Sequence, residues 1–280
     1  MNQKLYIILP VHNRKDITTS FVKMVVNQTY KNFHLILVDD GSTDGTVDAV
    51  KLHLNDITVI TGDGNLWWGG ALHKGYLWVK DQLKGSSDAV LIINDDVIIE
   101  SDFLEKGLKI LQKYPFKNLV VAENFKQESK DILIDSGVYI NWNKLDFNLK
   151  VEIGKANSSS TRGLFLNVAD FIQIGGFYPI ALPHYLSDYE FTHRAYKKGY
   201  KIITNPSLKL FTAENTTGYH SIRKSSFKDY AKNLFSIKYA GNPIYFTTFI
   251  LISCPFYLIP LNLLKVWYGA LKNIINNFKR

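Results

Sequence analysis

The segment AVLIINDDVIIE, residues 89 to 100, runs five apolar residues into Asn94-Asp95-Asp96 and resumes with three more before Glu100. A buried strand that ends on two adjacent carboxylates must neutralise them, because desolvating an unpaired carboxylate is costly. Two chemistries meet that demand: hydrogen bonds that cap a turn, or a bound cation. Comparable polar clusters close two earlier apolar runs, Pro10-Val11-His12-Asn13 after KLYIIL and Asp39-Asp40-Gly41-Ser42 after FHLILV. No glycine-rich loop of the G-x-G-x-x-G or Walker type accompanies them. Phosphates at such an edge would therefore be held through a hard divalent cation with oxygen ligands, and a nucleoside diphosphate is the natural ligand. Asp39 and Asp40 are placed to accept hydrogen bonds from a base N–H or from ribose hydroxyls. The alternative for DDGSTDG is an Asx turn with a helix cap.

The elements that must position these clusters follow from periodicity. KLYIILPV (4 to 11), FHLILVDD (33 to 40), ITVITGD (57 to 63) and DAVLIIND (88 to 95) are short apolar runs of the kind found in strands covered on both faces. Between the first two, Phe21, Met24, Val25 and Gln28 recur at helical spacing. Between the next two, Val47, Val50 and Leu54 do so after a Ser42-Thr43-Asp44 start that can cap a helix. The fold class is thus α/β, a doubly wound and mostly parallel sheet flanked by helices. In such sheets ligands bind at the carboxyl ends of the strands, where all three clusters fall.

At 280 residues and 46% hydrophobic composition the chain can bury a large core. Its single cysteine, Cys254, excludes an intramolecular disulfide framework, and a reducing compartment is the expectation. The apolar run at the N-terminus is too short for a signal-peptide core. From Ser221 onward nine Lys and Arg face one acid, Asp229, so the whole net charge of +8 lies in the tail. A neutral body with a basic tail implies surface docking, and no nucleic-acid-binding signature is present.

Taken together, ILPVHNR, LILVDDGSTDGT, LIINDDV and LSDYEFTHRAYKKGY, in this order and spacing, resemble the family 2 inverting glycosyltransferases with the GT-A fold. The resemblance covers roughly residues 4 to 220. It implies a GT-A domain over 1–220, with a nucleotide-binding half of about 1–100 and an acceptor-binding half of about 101–220. It also implies that Pro10, His12, Asn13, Asp39 and Asp40 line the nucleotide pocket. Asn94-Asp95-Asp96 corresponds to the family's acidic motif, with a divalent cation (Mn²⁺ or Mg²⁺) on Asp96 and with Asn94 and Asp95 on the donor. GDGNLWWGGALHKGY sits where the family contacts the donor, which gives Asn65, Gly69 and Gly70 that role; none is carried onto His73. Trp67 and Trp68 read as a sugar-stacking platform or as core and rim.

GGFYPIALPHYLSDYEFTHR resembles the stretch that supplies the family's base. Inversion in one displacement needs a carboxylate that takes the acceptor hydroxyl proton, and Asp188 is the choice. Glu190 and Arg194 fit equally a structural ion pair. The resemblance adds His220 as a metal contact and Arg162 as a charge facing acceptor or diphosphate. The implied partners are a UDP- or dTDP-sugar and a glycan or lipid-linked glycan in surface-polysaccharide assembly. The rivals are a non-catalytic nucleotide-sugar-binding protein and a dinucleotide-dependent oxidoreductase, the latter disfavoured by the missing glycine fingerprint.

Residues 221–280 are expected to form a basic, apolar helical tail. No charge occurs from Tyr239 to Leu264, long enough to span a bilayer. Pro243, Pro255 and Pro260 interrupt it, and both flanks are basic, against the positive-inside tendency. The last segment groups Trp267, Ala270, Leu271, Ile274, Ile275 and Phe278 on one helical face. The expectation is peripheral attachment to an anionic inner membrane face from the cytoplasm, with packing on the catalytic domain and a true span as alternatives.

Overall fold

The computed structural model of the chain describes residues 3–114, 116–213 and 227–278. The first half comprises β1 (Leu5–Val11), α1 (Lys15–Val26), β2 (Phe33–Asp39), α2 (Thr46–Lys51), β3 (Ile57–Thr61), α3 (Trp67–Gln82), β4 (Ala89–Ile92), β5 (Val97–Ile99) and α4 (Phe103–Lys113). Next come β6 (Asn118–Lys126), β7 (Leu133–Asp135), β8 (Tyr139–Asn141), β9 (Asp146–Asn148), β10 (Leu164–Asn167), α5 (Val168–Ile174), α6 (Ser187–Lys197) and β11 (Lys201–Thr212). The tail holds α7 (Phe227–Leu234), α8 (Pro243–Ser253), a short helical turn at Phe256–Leu258 and α9 (Ile259–Phe278).

The near-continuous apolar strands are explained by a sheet with helices on both faces. Leu5, Ile7, Leu9 and Val11 of β1 pack with Phe21, Val22 and Val25 of α1 and with Leu104 and Leu108 of α4. The opposite face, with Ile8, Ile36, Val38, Val90 and Ile92, meets Ala71, Leu72, Tyr76 and Val79 of α3. Gly75 lets α3 press close: a Cβ there would lie 2.7 Å from Cγ2 of Ile8.

The sheet order is β3-β2-β1-β4-β10-β6-β11-β5, with β7 beside β6. The first four strands are parallel, as the sequence implies. Beyond β4 the sheet is mixed: β10 runs antiparallel to β4 and β6, and β11 is parallel to β6 but antiparallel to β5. The short β6–β7 connection likewise allows only an antiparallel pair. The register of β11 on β6 breaks between Thr204 and Lys209, where Asn205-Pro206-Ser207-Leu208 bulge out. Only Ile93 to Asp96 separate β4 from β5, a reach of about 17 Å. Because β10, β6 and β11 intervene in the sheet order, the sheet has to curl for the two ends to meet.

Two long-range contacts fix the second half. Arg194 pairs with Glu190 in fork geometry, Nε to Oε1 at 2.7 Å and Nη2 to Oε2 at 3.0 Å, and donates onward to the carbonyls of Ile174 (2.6 Å) and Gly176 (2.7 Å) after α5. Of its two readings this pair is therefore structural. The tail then docks: Phe249, Ile250 and Cys254 are buried against Val138, Ile140, Trp142 and Leu182. Asn262 Nδ2 donates to the Trp142 carbonyl at 2.9 Å, and Trp267 Nε1 to Thr247 Oγ1 at 3.1 Å, closing the α8–α9 hairpin. Packing on the domain thus holds for one face of the tail. The other face, with Leu251, Phe256, Tyr257, Leu264, Tyr268 and Leu271, is exposed. Among the described residues no helix is long and apolar enough to cross a membrane.

Candidate functional site

Polar side chains gather where β1, β2 and β4 end. The turn after β1 and the loop after β2 are stitched together: His12 Nδ1 donates to the Asp40 carbonyl at 2.5 Å, Asn13 N–H to Ser42 Oγ at 2.8 Å, and Thr43 N–H to Asn13 Oδ1 at 2.8 Å. Asn13 has φ +50°, the left-handed region that Asn tolerates. Asp44 caps two helices at once, accepting from Lys15 N–H at 2.9 Å and from Thr46 N–H at 3.0 Å, and these bonds hold its carboxyl below the usual range. Pro10 is tolerated in a central strand because the β1–β4 ladder has already ended at Ile8–Ile92.

Asp39 and Asp40 have different surroundings. Asp39 is buried, and among the described residues one backbone N–H, that of Ser42 at 3.2–3.3 Å, reaches its carboxylate. It retains acceptor capacity. Asp40 accepts from the N–H groups of Gly64 (2.8 Å), Leu66 (2.9 Å) and Trp67 (3.1 Å). Its carboxylate holds the loop before α3 in place.

At the end of β4, Thr18 Oγ1 donates to Asp95 Oδ2 at 2.7 Å, and Arg14 spans both acids, Nη1 to Asp95 Oδ1 at 3.3 Å and Nη2 to Asp96 Oδ2 at 3.2 Å. Burial pushes the Asp95 carboxyl up, while Arg14 and Thr18 pull it back. Both Asp95 oxygens thus have a protein partner, whereas Asp96 Oδ1 is buried without a hydrogen-bond partner. That oxygen fits a cation. No group of three or more His, Cys, Asp or Glu converges among the described residues, so a cation here would complete its shell with ligand oxygens. His220 lies outside the described residues. Arg14 was passed over in sequence although it stands in HNRK, because nothing in its spacing reveals that it reaches across to β4.

The start of α3 carries the donor-contact candidates. Asn65 is exposed at a loop tip, its N–H bonded to Asp63 Oδ1 at 3.0 Å. Gly69 donates its N–H to the Pro183 carbonyl at 2.8 Å, and a Cβ on it would lie 2.5 Å from the Leu182 carbonyl oxygen. A Cβ on Gly70 would stand 3.2 Å from that of Leu66. Both glycines are buried, and their lack of a side chain lets the start of α3 pack closely on the Leu182-Pro183 segment and on Leu66. Trp68 Nε1 donates to Asp188 Oδ1 at 2.5 Å, so its polar edge is spent on the acid. The Trp67 ring lies 5.7 Å from that of His184 and 5.9 Å from Lys238 Nζ. Burial, helped by Lys238, pushes His184 down to about 4.

Asp188 opens α6 and is half-buried. Besides Trp68 it accepts from Thr161 N–H at 3.3 Å. Burial raises its carboxyl above the usual range, against the pull of these bonds and of Arg162, a shift expected of a carboxylate that must take a proton.

A doubly wound sheet with acids at its carboxyl edge is the architecture of α/β proteins whose ligands bind at the ends of the strands. Residues 6–231 match the model of Glycosyl transferase family 2, and the chain belongs to that family. It is 23% identical over 151 residues to the glycosyltransferase GlyG of Streptococcus pneumoniae, a match covering 53% of this chain and 43% of GlyG. The chain thus spans less than half of that relative. Over 65 residues, 23% of this chain and 26% of the other, it is 37% identical to the E. coli enzyme WfaP, a UDP-Glc:alpha-D-GlcNAc-diphosphoundecaprenol beta-1,3-glucosyltransferase. The 1–349 fragment of S. aureus TarS, solved with UDP-GlcNAc, shares the GT-A fold at TM-score 0.58 and 15% identity, over 99% of this chain and 74% of that fragment. The mannosyltransferase PcManGT of Pyrobaculum calidifontis, solved with GDP-Man and Mn²⁺, aligns at TM-score 0.60 and 18% identity, over 97% and 76%.

Replacing Asp40 by Ala strands three backbone donors, and each hydrogen bond to a charged group contributes about 1.5–3 kcal/mol. Urea unfolding of Asp40→Ala should show a loss of about 2 kcal/mol or more. Wild-type stability would mean that the loop before α3 does not depend on this carboxylate.

Proposed function

We propose that this glycosyltransferase works with inversion, moving a sugar from a nucleoside diphosphate-sugar, UDP- or dTDP-linked, to a hydroxyl of a lipid-linked glycan in surface-polysaccharide assembly. The observation that carries the reading is Asp188: a half-buried carboxylate at a helix start, oriented by Trp68 and the Thr161 N–H, with its proton affinity raised by burial. As the acceptor oxygen attacks the anomeric carbon, Asp188 takes the hydroxyl proton. The carbon–oxygen bond to the diphosphate breaks on the opposite face, and the anomeric configuration inverts. Asp39 supports the nucleotide end with free acceptor capacity, and His12 and Asn13 border it. The orphaned Asp96 oxygen favours a divalent cation, Mn²⁺ or Mg²⁺, which when bound supplies neutralising charge for the diphosphate. His220 remains a proposed further ligand. WfaP, by its name, uses a diphosphoundecaprenol-linked acceptor, which supports the lipid-linked class.

The exposed face of the α8–α9 hairpin suits a lipid surface. Phe256, Leu264 and Tyr268 are 83%, 70% and 68% exposed, and the tail carries the entire excess positive charge. Apolar insertion and attraction to anionic lipid then act together, holding the site on the cytoplasmic side of the membrane beside its acceptor.

Asp188→Asn should bind nucleotide as wild type does but lower turnover at least about 100-fold, the usual lower scale for a general base; equal turnover in steady-state kinetics rejects the assignment. In thermal-shift titrations of UDP, dTDP and their sugars, Mn²⁺ should add stabilisation that Asp96→Ala loses. Ligand at 100 times its dissociation constant contributes about 2.7 kcal/mol, well within detection. Equal metal dependence in both proteins would remove Asp96 as the ligand. In flotation, the full chain should rise with phosphatidylserine-containing vesicles, and the Phe256→Ser, Leu264→Ser, Tyr268→Ser triple variant should stay behind. Wild-type protein left at the bottom refutes the membrane surface, and concentration-dependent dimers by light scattering would assign the face to a second copy.

A further inference from the structure

Arg14 holds a position that the transfer mechanism leaves without a task. Its backbone joins the turn after β1 to α1, with its N–H on Thr46 Oγ1 at 3.3 Å, and its side chain crosses to the end of β4. There the guanidinium reaches both acids of one turn, Nη1 to Asp95 Oδ1 at 3.3 Å and Nη2 to Asp96 Oδ2 at 3.2 Å. The two acids differ in access. The Asp95 side chain is 2% exposed and its other oxygen accepts from Thr18, whereas the Asp96 side chain is 27% exposed. Asp96 Oδ1, the oxygen without a hydrogen-bond partner, belongs to the same carboxylate whose Oδ2 meets Arg14. A cation taken up at Oδ1 would therefore share its carboxylate with a fixed positive charge.

We propose that Arg14 is the resident counter-ion of the acidic turn and makes occupation of that turn by a divalent cation conditional on the donor diphosphate. With Arg14 in place, the two acids keep an excess of one negative charge. A divalent cation alone would turn that excess positive, against the repulsion of the guanidinium at the same carboxylate. A diphosphate alone would bring more negative charge to an edge that already has too much. Arriving together, the two largely cancel, and the turn keeps the charge it had. Arg14, still 21% exposed, thus opposes the metal by itself and attracts the diphosphate. An arginine that only held the turn in shape would act in the same direction on both ligands, so the opposed signs separate the two roles. The inference rests on the reading of Asp96 as the metal residue, but its test does not require turnover.

Mn²⁺ binding to the full chain is read from the loss of the free-ion electron paramagnetic resonance signal, and UDP or dTDP binding by calorimetry in saturating Mn²⁺. Arg14→Gln, which removes the charge, should bind Mn²⁺ alone about tenfold more tightly than wild type, the scale on which a divalent and a single charge at contact distance repel even in a water-like medium. The same variant should bind the nucleoside diphosphate about tenfold more weakly. Arg14→Lys should stay near wild type in Mn²⁺ affinity, and thermal melts verify folding of each variant. Mn²⁺ affinity that is unchanged or lower in folded Arg14→Gln overturns the proposal. So does wild-type protein that takes up Mn²⁺ as tightly without nucleotide as with it, a measurement that needs no variant. A failure of the metal reading appears separately, as wild-type protein that takes up no Mn²⁺ even with nucleotide present, or as uptake undiminished in Asp96→Ala, and the proposal falls with it.

Discussion

The Asp40 carboxylate is the constraint on which the site depends. The first turn of any helix leaves backbone N–H groups without intrahelical partners. α3 begins at Trp67, and Leu66 at its cap position has a side chain that cannot cap and forms no capping bond. Asp40 provides the acceptor from outside the helix, taking the N–H groups of Leu66 and Trp67 together with that of Gly64. This fixes where α3 starts, and with it the direction of the Trp68 indole. The indole N–H then reaches Asp188. The loop beside the nucleotide edge and the proposed base are thus joined through one helix start, with few freely rotating bonds between them.

The acidic turn after β4 divides its charge unequally. Asp95 is met by Thr18 and Arg14 inside the protein, whereas Asp96 shares Arg14 and keeps one buried oxygen unpartnered. Setting a buried and a partly buried carboxylate against a single guanidinium leaves negative charge over, and the less water reaches it the more that excess costs. Opposite demands are therefore met by neighbouring residues, one acid holding the protein together and the other left available.

Much of this was legible in the sequence because periodicity reports burial. The four parallel strands coincide closely with their apolar runs, and the doubly wound half follows from them. The polar clusters that end β1, β2 and β4 are equally visible in the motifs. Spacing does not reveal which partner a side chain finds, which explains the rest. Asp40 and Asp39 are adjacent and identical in type, yet one is consumed by three backbone groups. Gly69 looks like a place for ligand approach, and only the Leu182 carbonyl explains it. Arg14 acts across the sheet on residues more than eighty positions away. The antiparallel strands beyond β4 and the bulge in β11 are long-range pairings that no short pattern announces. The tail's two faces were hidden because a run without charges does not say which side meets protein.

The curl of the sheet has a thermodynamic consequence. β4 and β5 belong to one sheet, so the turn carrying Asn94, Asp95 and Asp96 is anchored by hydrogen-bonded strands at both ends. A loop of the same sequence hanging from one strand would have to freeze its backbone whenever a ligand arrived, at about 1–2 kcal/mol per residue. Here that ordering has already been met during folding. A ligand at the acidic turn would therefore meet a pre-organised arrangement, and its binding free energy would be spared the entropy of assembling the acids.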